Sequence, residues 1–281
     1  MKILVTGATG NVGREVVRLL QEKAVPLRVT ARPGSPATPG LESASFDFAD
    51  PGTFAGAARG CSAVFLLRPP AVSDTARTLN PFIDAARREG VEQVVFLSVA
   101  GAGENRIVPH HAVEEHLRSA SRPFTILRPG FFAQNLGDHY RRDITRDDRL
   151  FVPAGRGKAS FIDARDIAEV AVSALVSPAE HAGKAYTLTG PEAVSFEEAA
   201  RILSQALNRT ITYVPASIPG YAMHLRRAGM GAAQIAVQTI LHVGLRFGQA
   251  EAVDPTLRSL LGRAPRTLRD YVLDHVHLWA R

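Results

Sequence analysis

A glycine-rich turn between an apolar strand and an amphipathic helix constrains the fold of this chain more than any other feature. The turn reads TGATGNVG over residues 6–13. We predict a strand over residues 2–6 before it and a helix over residues 11–24 after it, because apolar residues recur there at helical spacing. In this context a glycine pattern is typical of a turn that holds the pyrophosphate of a dinucleotide. The alternative is a glycine turn that binds no ligand.

Each glycine has a physical role in such a turn. Gly7 permits the tight turn out of the strand, Gly10 lets a pyrophosphate approach the backbone, and Gly13 lets the helix pack closely. Backbone N–H groups and the dipole at the start of the helix then favour the anion.

The first half of the chain alternates strands and helices, which predicts an α/β fold: a Rossmann-type, doubly wound parallel sheet covered by helices on both faces. The predicted strands are residues 2–6, 27–31, 44–47, 63–67, 93–98 and 123–128. The predicted helices are residues 11–24, 50–58, 73–89 and 110–120. Three prolines and two glycines predict a loop over residues 33–40.

The alternation weakens after residue 130, which suggests a second region. We expect an NADP-binding domain over residues 1–150, with elements around 163–190 packing back on it. A small, mostly helical substrate cap is expected over residues 191–281, with a helix over 195–207 that starts at a Ser195 and Glu198 capping box.

The residues at the end of the second strand predict whether the cofactor carries a 2′-phosphate. An NAD site usually places an acid there, on the ribose 2′-hydroxyl. This strand instead ends at Ala31 and is followed by Arg32. Because a guanidinium pairs with a 2′-phosphate, NADP(H) is favoured over NAD(H). The alternative is that Arg32 is a solvated loop residue.

Further cofactor contacts are expected after the third and fourth strands. Asp47 and Phe48 are placed to meet the adenine edge, although Asp47 is almost as well explained as a turn aspartate. Leu66 and Leu67 are expected to line the adenine–ribose channel, or else to belong to the core.

Composition and charge limit the classes of function. The formal charge is +6, from 29 arginines, four lysines and 27 acidic residues, but no basic run exceeds two residues, so nucleic-acid binding is not favoured. The single cysteine, Cys61, excludes an internal disulfide, and no metal site is expected. The apolar run at the start is too short for a signal peptide and no run is long enough to span a membrane, so we expect a cytoplasmic protein.

Several motifs together resemble the NmrA-like branch of the atypical short-chain dehydrogenases. They are GATGNVG, DFAD, FLSVAGA, PHHAVEEHLRSA, FTILRPGFFAQN and FIDARDIAEVA, spread over roughly residues 1–215. This branch includes NAD(P)H-dependent quinone and dye reductases, and also redox-sensing regulators that bind the dinucleotide without doing chemistry.

The resemblance implies further site residues. It assigns Thr9, Asn11 and Val12, with Gly7 and Gly10, to the pyrophosphate turn, and Arg32 to the adenosine side. It places Ser98, Val99 and Ala100 near the nicotinamide at the end of the fifth strand. It also implies a pocket wall of Phe131, Phe132 and Asn135, and Phe161 is a further candidate to face the substrate.

The chain departs at the catalytic positions from the short-chain dehydrogenases that it resembles, which commonly use a Tyr-x-x-x-Lys pair. None of its five tyrosines is followed by lysine four residues later, and no lysine occurs between Lys23 and Lys158. His110 and His111 stand where a proton donor is expected, and histidine has a suitable pKa. Each is equally well explained as a residue at the start of a helix that bonds water or backbone. Adjacent residues point in different directions, so at most one is expected to reach the nicotinamide.

Two functions follow as expectations. The first is an NADPH-dependent reductase of a conjugated small molecule, such as a quinone, enone, imine or dye, because such acceptors need no obligatory enzymic acid. The alternative is a non-catalytic NAD(P)-sensing regulator that binds a protein partner. Either would be a monomer or a homodimer.

Overall fold

The computed structural model describes residues 1–36 and 38–280 and divides into two compact units. The first unit is Met1–Pro129 with Ala164–Leu188. The second is Gly130–Asp163 with the chain from Thr189 onward. The boundary expected near residue 150 therefore lies at Pro129, and residues 130–150 belong to the second unit. Strands and helices are numbered below in chain order through both units.

A parallel sheet of seven strands forms the centre of the first unit, in the order β11-β6-β5-β4-β1-β2-β3. The strands are β1 (Ile3–Val5), β2 (Leu27–Ala31), β3 (Glu42–Ser45), β4 (Ala63–Leu67), β5 (Gln93–Leu97), β6 (Phe124–Pro129) and β11 (Lys184–Leu188). The predicted doubly wound parallel fold is confirmed. Its strand order reverses between β1 and β4, and open α/β sheets bind ligands outside the carboxyl ends of the strands at such a point.

The helices of the first unit flank this sheet. They are α1 (Asn11–Glu22), α2 (Phe54–Ala58), α3 (Leu79–Arg88), α4 (Pro109–Ser119), α6 (Ala164–Val176) and α7 (Pro178–His181), with a 3-10 turn at Pro51–Thr53. Asp50 caps this segment, because its side chain accepts a hydrogen bond from the Gly52 N–H at 3.0 Å. The expected loop over residues 33–40 is irregular on both sides of Ala37, which lies outside the described residues.

The third helix begins six residues later than predicted, at Leu79 rather than at residue 73. Pro81 gives the reason. In a helix starting at residue 73 its ring would clash with the carbonyl four residues earlier, whereas a proline in the first turn is tolerated. Side chains hold the preceding residues in turns instead: Thr78 Oγ1 donates to the Asp74 carbonyl at 2.5 Å, and Thr75 Oγ1 donates to the Pro109 carbonyl at 2.9 Å.

The second unit is rich in helices and has its own hydrophobic core. Its helices are α5 (Arg141–Asp147), α8 (Phe196–Leu207), α9 (Ile218–Arg227), α10 (Ala232–Leu245), α11 (Thr256–Leu261) and α12 (Leu268–Asp274), with 3-10 turns at Ala133–Leu136 and Val276–Trp279. Its strands are β7 (Phe131–Phe132), β8 (Arg149–Val152), β9 (Lys158–Ala159), β10 (Phe161–Ile162), β12 (Val194–Ser195) and β13 (Thr212–Pro215), and they pair two by two. Phe161, Phe196, Tyr271 and Trp279 are almost fully buried in this core.

Of the two hydrogen bonds in the predicted capping box at the start of α8, the one from the helix backbone to the N-cap side chain is present. Ser195 Oγ accepts a hydrogen bond from the Glu198 N–H at 3.1 Å, while the Glu198 carboxylate bonds Arg201 Nε at 3.0 Å. Among the described residues, no helix is both long enough and apolar enough to cross a bilayer.

Candidate active site

The turn from β1 into α1 is shaped by a left-handed glycine and held by hydrogen bonds. Gly7 has a φ of +63°, a left-handed conformation that favours glycine. The Gly10 N–H then donates to the Gly7 carbonyl at 3.0 Å and closes the turn. Thr6 anchors the base of this turn, because its buried hydroxyl donates to the Phe65 carbonyl and accepts from the Leu67 N–H, both at 3.0 Å. The turn is thereby held against the end of β4.

An added side chain would clash at two glycines of this turn, Gly7 and Gly13, but would find space at Gly10. A Cβ on Gly13 would stand 2.1 Å from the Gly7 carbonyl oxygen, and a Cβ on Gly7 would stand 2.5 Å from the Leu67 side chain. A Cβ on Gly10 meets only the Gly7 oxygen, at 3.4 Å. Gly13 thus lets the helix lie close to the turn itself, whereas Gly10 leaves open space that a ligand can use.

The first turn of α1 is suited to an anion. Gly10 is the N-cap and gives no side-chain cap, and the first turn carries no acidic residue. Thr9 and Gly10 are exposed, Asn11 is half-buried, and Val12 and Gly13 are buried. The N–H groups at the start of the helix and its dipole could therefore attract a negative group without competition from a carboxylate in the first turn.

Two arginines of the β2 region have different surroundings. Arg28, at the start of the strand, is committed to the fold: Nε donates to Glu42 at 2.7 Å, and NH1 donates to the carbonyls of Ala57 and Arg59. Arg32 directly follows β2 and is exposed. Arg32 is therefore the arginine at the carboxyl end of the strand, as the sequence predicts.

The other adenosine-side candidates divide between surface and core. Asp47 is exposed, and its Oδ1 accepts from the Ala49 N–H at 2.9 Å, which gives it a turn role. The Phe48 ring is buried and packs edge-on against Phe46 and Phe82. Leu66 is fully buried in the core, whereas Leu67 is half-buried beside Gly7. Of the two leucines, the structure therefore places Leu67 next to the glycine turn.

A buried ionic network supports the end of β5. Ser98 is buried, and its Oγ donates to Glu114 Oε1 at 2.6 Å. Glu114 is fully buried in α4 and accepts from Arg128 Nε at 3.0 Å and from Arg118 NH2 at 2.9 Å. Burial opposes ionisation of Glu114, but the hydrogen bonds from Arg128 and Ser98 outweigh it and hold the pKa of the carboxyl below its ordinary value. Val99 and Ala100, which follow Ser98, become progressively more exposed.

This network contains residues that the sequence analysis did not single out. Arg128 was a usable signal, because a charged side chain inside the apolar strand FTILRP requires a partner. Its guanidinium also fills the space beside Gly103, where a Cβ would stand 2.2 Å from NH2. Arg128 thus ties β6 to both α4 and the segment after β5.

The two adjacent histidines occupy unlike environments. His110 is 7% exposed and lies beside Phe96, and its Nε2 accepts a hydrogen bond from Arg68 Nε at 3.2 Å. Burial first, and then the Arg68 charge, lower the pKa of His110 to about 4. His110 is therefore neutral near pH 7 and a poor source of protons.

His111 is half-buried and bonds the Ala102 carbonyl through Nδ1 at 2.9 Å, which directs Nε2 away from that contact. Of the two, the geometry favours His111 as the proton donor.

The predicted pocket residues of the second unit lie at its core and its edge. Phe161 is 1% exposed, so its ring belongs to the core, whereas Phe131, Phe132 and Asn135 are half-buried. The Phe131 ring packs edge-on against Phe161, with centroids 5.3 Å apart. Phe131, Phe132 and Asn135 stay predictions as a pocket wall.

The second unit also contains a buried polar cluster that the sequence analysis missed. Tyr140 hydroxyl bonds His242 Nε2, and His242 Nδ1 bonds the Gln238 carbonyl at 2.6 Å. Burial is the main cause that lowers the pKa of His242 to about 4. Beside it, Asp143 pairs with His224 Nε2 at 2.9 Å. The sequence offered no signal for this cluster, because Tyr140 and Asp143 are far from His224 and His242 in the chain.

Comparisons with known proteins agree with this arrangement. The NmrA-like family model matches residues 1–265. The chain is 33% identical over 289 residues to the NAD(P)H azoreductase of Xenophilus azovorans, covering 97% of each chain. It superposes on the triphenylmethane reductase of Citrobacter sp. with a TM-score of 0.86 at 24% identity, covering 99% of this chain and 100% of that one. It superposes on the NADPH-dependent quinone oxidoreductase QOR2 of Escherichia coli with a TM-score of 0.84 at 24% identity, covering 98% and 99%. Since the family match extends from the glycine turn through most of the second unit, this chain belongs to the NmrA-like family.

Proposed function

We propose that this chain is an NADPH-dependent reductase that transfers hydride to a conjugated small molecule, such as a quinone, an enone, an imine or a dye. The observation that carries the proposal is the glycine turn, which leaves open space above Gly10 at an uncapped helix N-terminus. Relatives named as an azoreductase, a triphenylmethane reductase and a quinone oxidoreductase support the substrate class.

The turn fits the pyrophosphate of a dinucleotide. An anion of that size needs close access to backbone N–H groups, and the side chain of any residue other than glycine at position 10 would occupy this space. Residues Thr9 to Val12 would hold the pyrophosphate, and Leu67 would bound the channel beside Gly7. The fit is therefore a property of backbone geometry as well as of sequence.

The choice of NADP over NAD rests on charge at the end of β2. Arg32 is exposed there, and Arg28 is already bonded to Glu42 and to carbonyl groups. No acidic residue directly follows the strand to hold a ribose 2′-hydroxyl. A guanidinium that pairs with a 2′-phosphate therefore explains Arg32 better than NAD binding does.

The residues at the end of β5 would hold the reacting end of the site. When bound, NADPH supplies the hydride. Ser98 is fixed by Glu114, and Glu114 is fixed by Arg128 and Arg118, so the backbone from Ser98 to Ala100 keeps one position. Because His111 Nδ1 donates to the Ala102 carbonyl, Nε2 would carry a proton in the imidazolium form; that form would give the Nε2 proton to acceptors that need one and keep the Nδ1 proton, and water would protonate the other acceptors.

A regulator that binds the dinucleotide without turnover is the second candidate. The absence of a Tyr-x-x-x-Lys pair favours it, because simple carbonyl reduction by short-chain dehydrogenases commonly uses that pair. Such a regulator needs the glycine turn but does not need an acceptor site.

Turnover separates the two candidates. NADPH oxidation would be followed by its absorbance against a panel of quinones, enones, imines and dyes, with the Gly10→Leu variant beside the native protein. Gly56→Leu is the matched control, because its Cβ has open space around it in α2. Oxidation by the native protein and by Gly56→Leu, with loss in Gly10→Leu, supports the reductase. Tight NADPH binding without oxidation of any acceptor would favour the regulator.

A further inference from the structure

Helix α10 exposes a continuous apolar stripe from its first residue to Leu241. The stripe consists of Ala232, Ala233, Ala236, Val237, Ile240 and Leu241, all of which are exposed. Val237, Ile240 and Leu241 are 57%, 69% and 54% exposed. These positions recur every four residues, so they form two adjacent rows on one helix face.

Charge is also absent from this helix. The 14 residues of α10 include no Asp, Glu, Lys or Arg. A helix of a soluble protein ordinarily carries charged residues on its solvent face, and a large exposed apolar patch marks an interaction site. The stripe therefore has the composition of a covered surface.

A groove lies beside the stripe, between α9 and α10. It is lined by Ala222, Met223, Arg226, Ala232, Ile235, Ala236, Thr239 and Ile240. The short connection between the two helices makes them antiparallel neighbours. Among the described residues that line the groove, Arg226, in the last turn of α9, is the only one with a charged side chain.

The side chains of the stripe become larger from the start of the helix toward its end. Its first half has the small residues Ala232, Ala233 and Ala236, and its second half has the bulky residues Ile240 and Leu241. If two copies of α10 pack antiparallel about a two-fold axis, the bulky end of each meets the small end of the other. A parallel arrangement would set bulky against bulky and small against small, which packs poorly.

Electrostatics favour the same arrangement. The antiparallel pairing brings the carboxyl end of the partner's α10 toward Arg226. The negative end of a helix dipole attracts a cation. Because the stripe itself is uncharged, two chains that each carry a net charge of +6 can meet there without burying like charges.

We propose that this surface is a homodimer interface in which the α10 stripes of two copies pack antiparallel about a two-fold axis, with Ile240 and Leu241 of each copy against the alanine end of the other. The isologous contact uses the same patch twice, as two-fold dimers do. Residues 236 and 237 then lie nearest the axis.

Sedimentation velocity of the full chain, at concentrations up to about 100 µM, tests the interface. We expect the native protein to dimerise and Ile240→Glu to weaken the dimer by roughly a hundredfold, because two glutamates would be buried against apolar side chains. Ile107→Glu is the matched control, since Ile107 is 92% exposed in the first unit. A native protein that stays monomeric over this range, or an Ile240→Glu variant that dimerises as the native protein does, would overturn the proposal.

Disulfide formation tests the orientation. The native Cys61 is buried, so engineered thiols report the interface alone. Under mild oxidation Val237→Cys should link to itself. Ala233→Cys and Leu241→Cys should link to each other when mixed, and neither should link efficiently alone, because the rise of a helix separates each from its own copy by about 12 Å. Efficient self-linking of Leu241→Cys would show that the antiparallel pairing is wrong.

Discussion

Gly13 lies so close to Gly7 that a Cβ on Gly13 would stand 2.1 Å from the Gly7 carbonyl oxygen. The close approach of Gly13 to Gly7 packs the first turn of α1 directly against the glycine turn that precedes it. The same contact fixes the direction in which the first N–H groups of the helix point. The geometry of the proposed pyrophosphate site is therefore a consequence of backbone packing.

Gly13→Ala should destabilise the fold by about 1–3 kcal/mol, because the added methyl group forces the Gly7 backbone to shift. It should also weaken NADPH binding, since the turn itself moves. Urea unfolding and NADPH fluorescence measure the two effects. Gly56→Ala, in open space on α2, is the control and should slightly stabilise the protein. Native stability in Gly13→Ala would show that the approach is less tight than described.

Arg32→Ala should weaken NADPH binding by roughly ten- to a hundredfold and leave NADH binding almost unchanged, because only NADPH carries the 2′-phosphate. Titration of both nucleotides gives the two dissociation constants. Arg106→Ala removes another exposed arginine of the first unit and should affect neither. Equal losses for NADPH and NADH in Arg32→Ala would contradict the assignment of Arg32 to the 2′-phosphate.

Glu114→Gln should cost about 3–5 kcal/mol of stability at neutral pH, because Arg128 and Arg118 lose a buried partner. The pKa of Glu114 is lower in the folded protein than its ordinary value of 4.5, so its contribution is complete above pH 4.5. That contribution is lost as the pH falls through the folded-state pKa. The free energies of unfolding of both proteins, measured in urea from neutral pH down through the folded-state pKa of Glu114, should converge as the pH falls. A stability difference that grows as the pH falls would rule out this role.

The two histidines should differ in their effect on turnover. His111→Gln should lower kcat about tenfold or more for an acceptor that requires a proton, because the residue is half-buried and keeps Nε2 available. His110→Gln should leave kcat within about twofold, since a neutral, buried imidazole whose pKa is about 4 supplies no proton near pH 7. Steady-state kinetics of both variants show which of the two substitutions lowers kcat more. A larger loss in His110→Gln would reverse the assignment.

Most of the sheet was predictable because its central strands, β1, β4, β5 and β6, are largely apolar runs separated by turn residues. Strands β2 and β4 have the predicted ends, and the others differ by one to a few residues. The predicted start of α3 was wrong because Pro81 is not tolerated inside a helix that begins at residue 73. The glycine turn was predictable because its requirements are local to eight residues.

The support around the site was not predictable in the same way. Ser98, Glu114 and Arg128 come from β5, α4 and β6, and only the folded sheet brings them together. The low pKa of His110 likewise depends on its burial and on Arg68, 42 residues earlier. Sequence patterns identify which residues carry chemistry, whereas their protonation depends on neighbours distant in the chain.

The most direct test of the central claim is the transfer of label from NADPH to product. NADPH that carries deuterium at both hydrogen positions of the reactive carbon of its nicotinamide would be incubated with the protein and a carbon acceptor, such as an enone, an imine or a triphenylmethane dye. The reductase assignment predicts that the reduced product gains one deuterium on carbon, at a rate that Gly10→Leu abolishes. A product without deuterium, or no product from any acceptor despite tight NADPH binding, would contradict it.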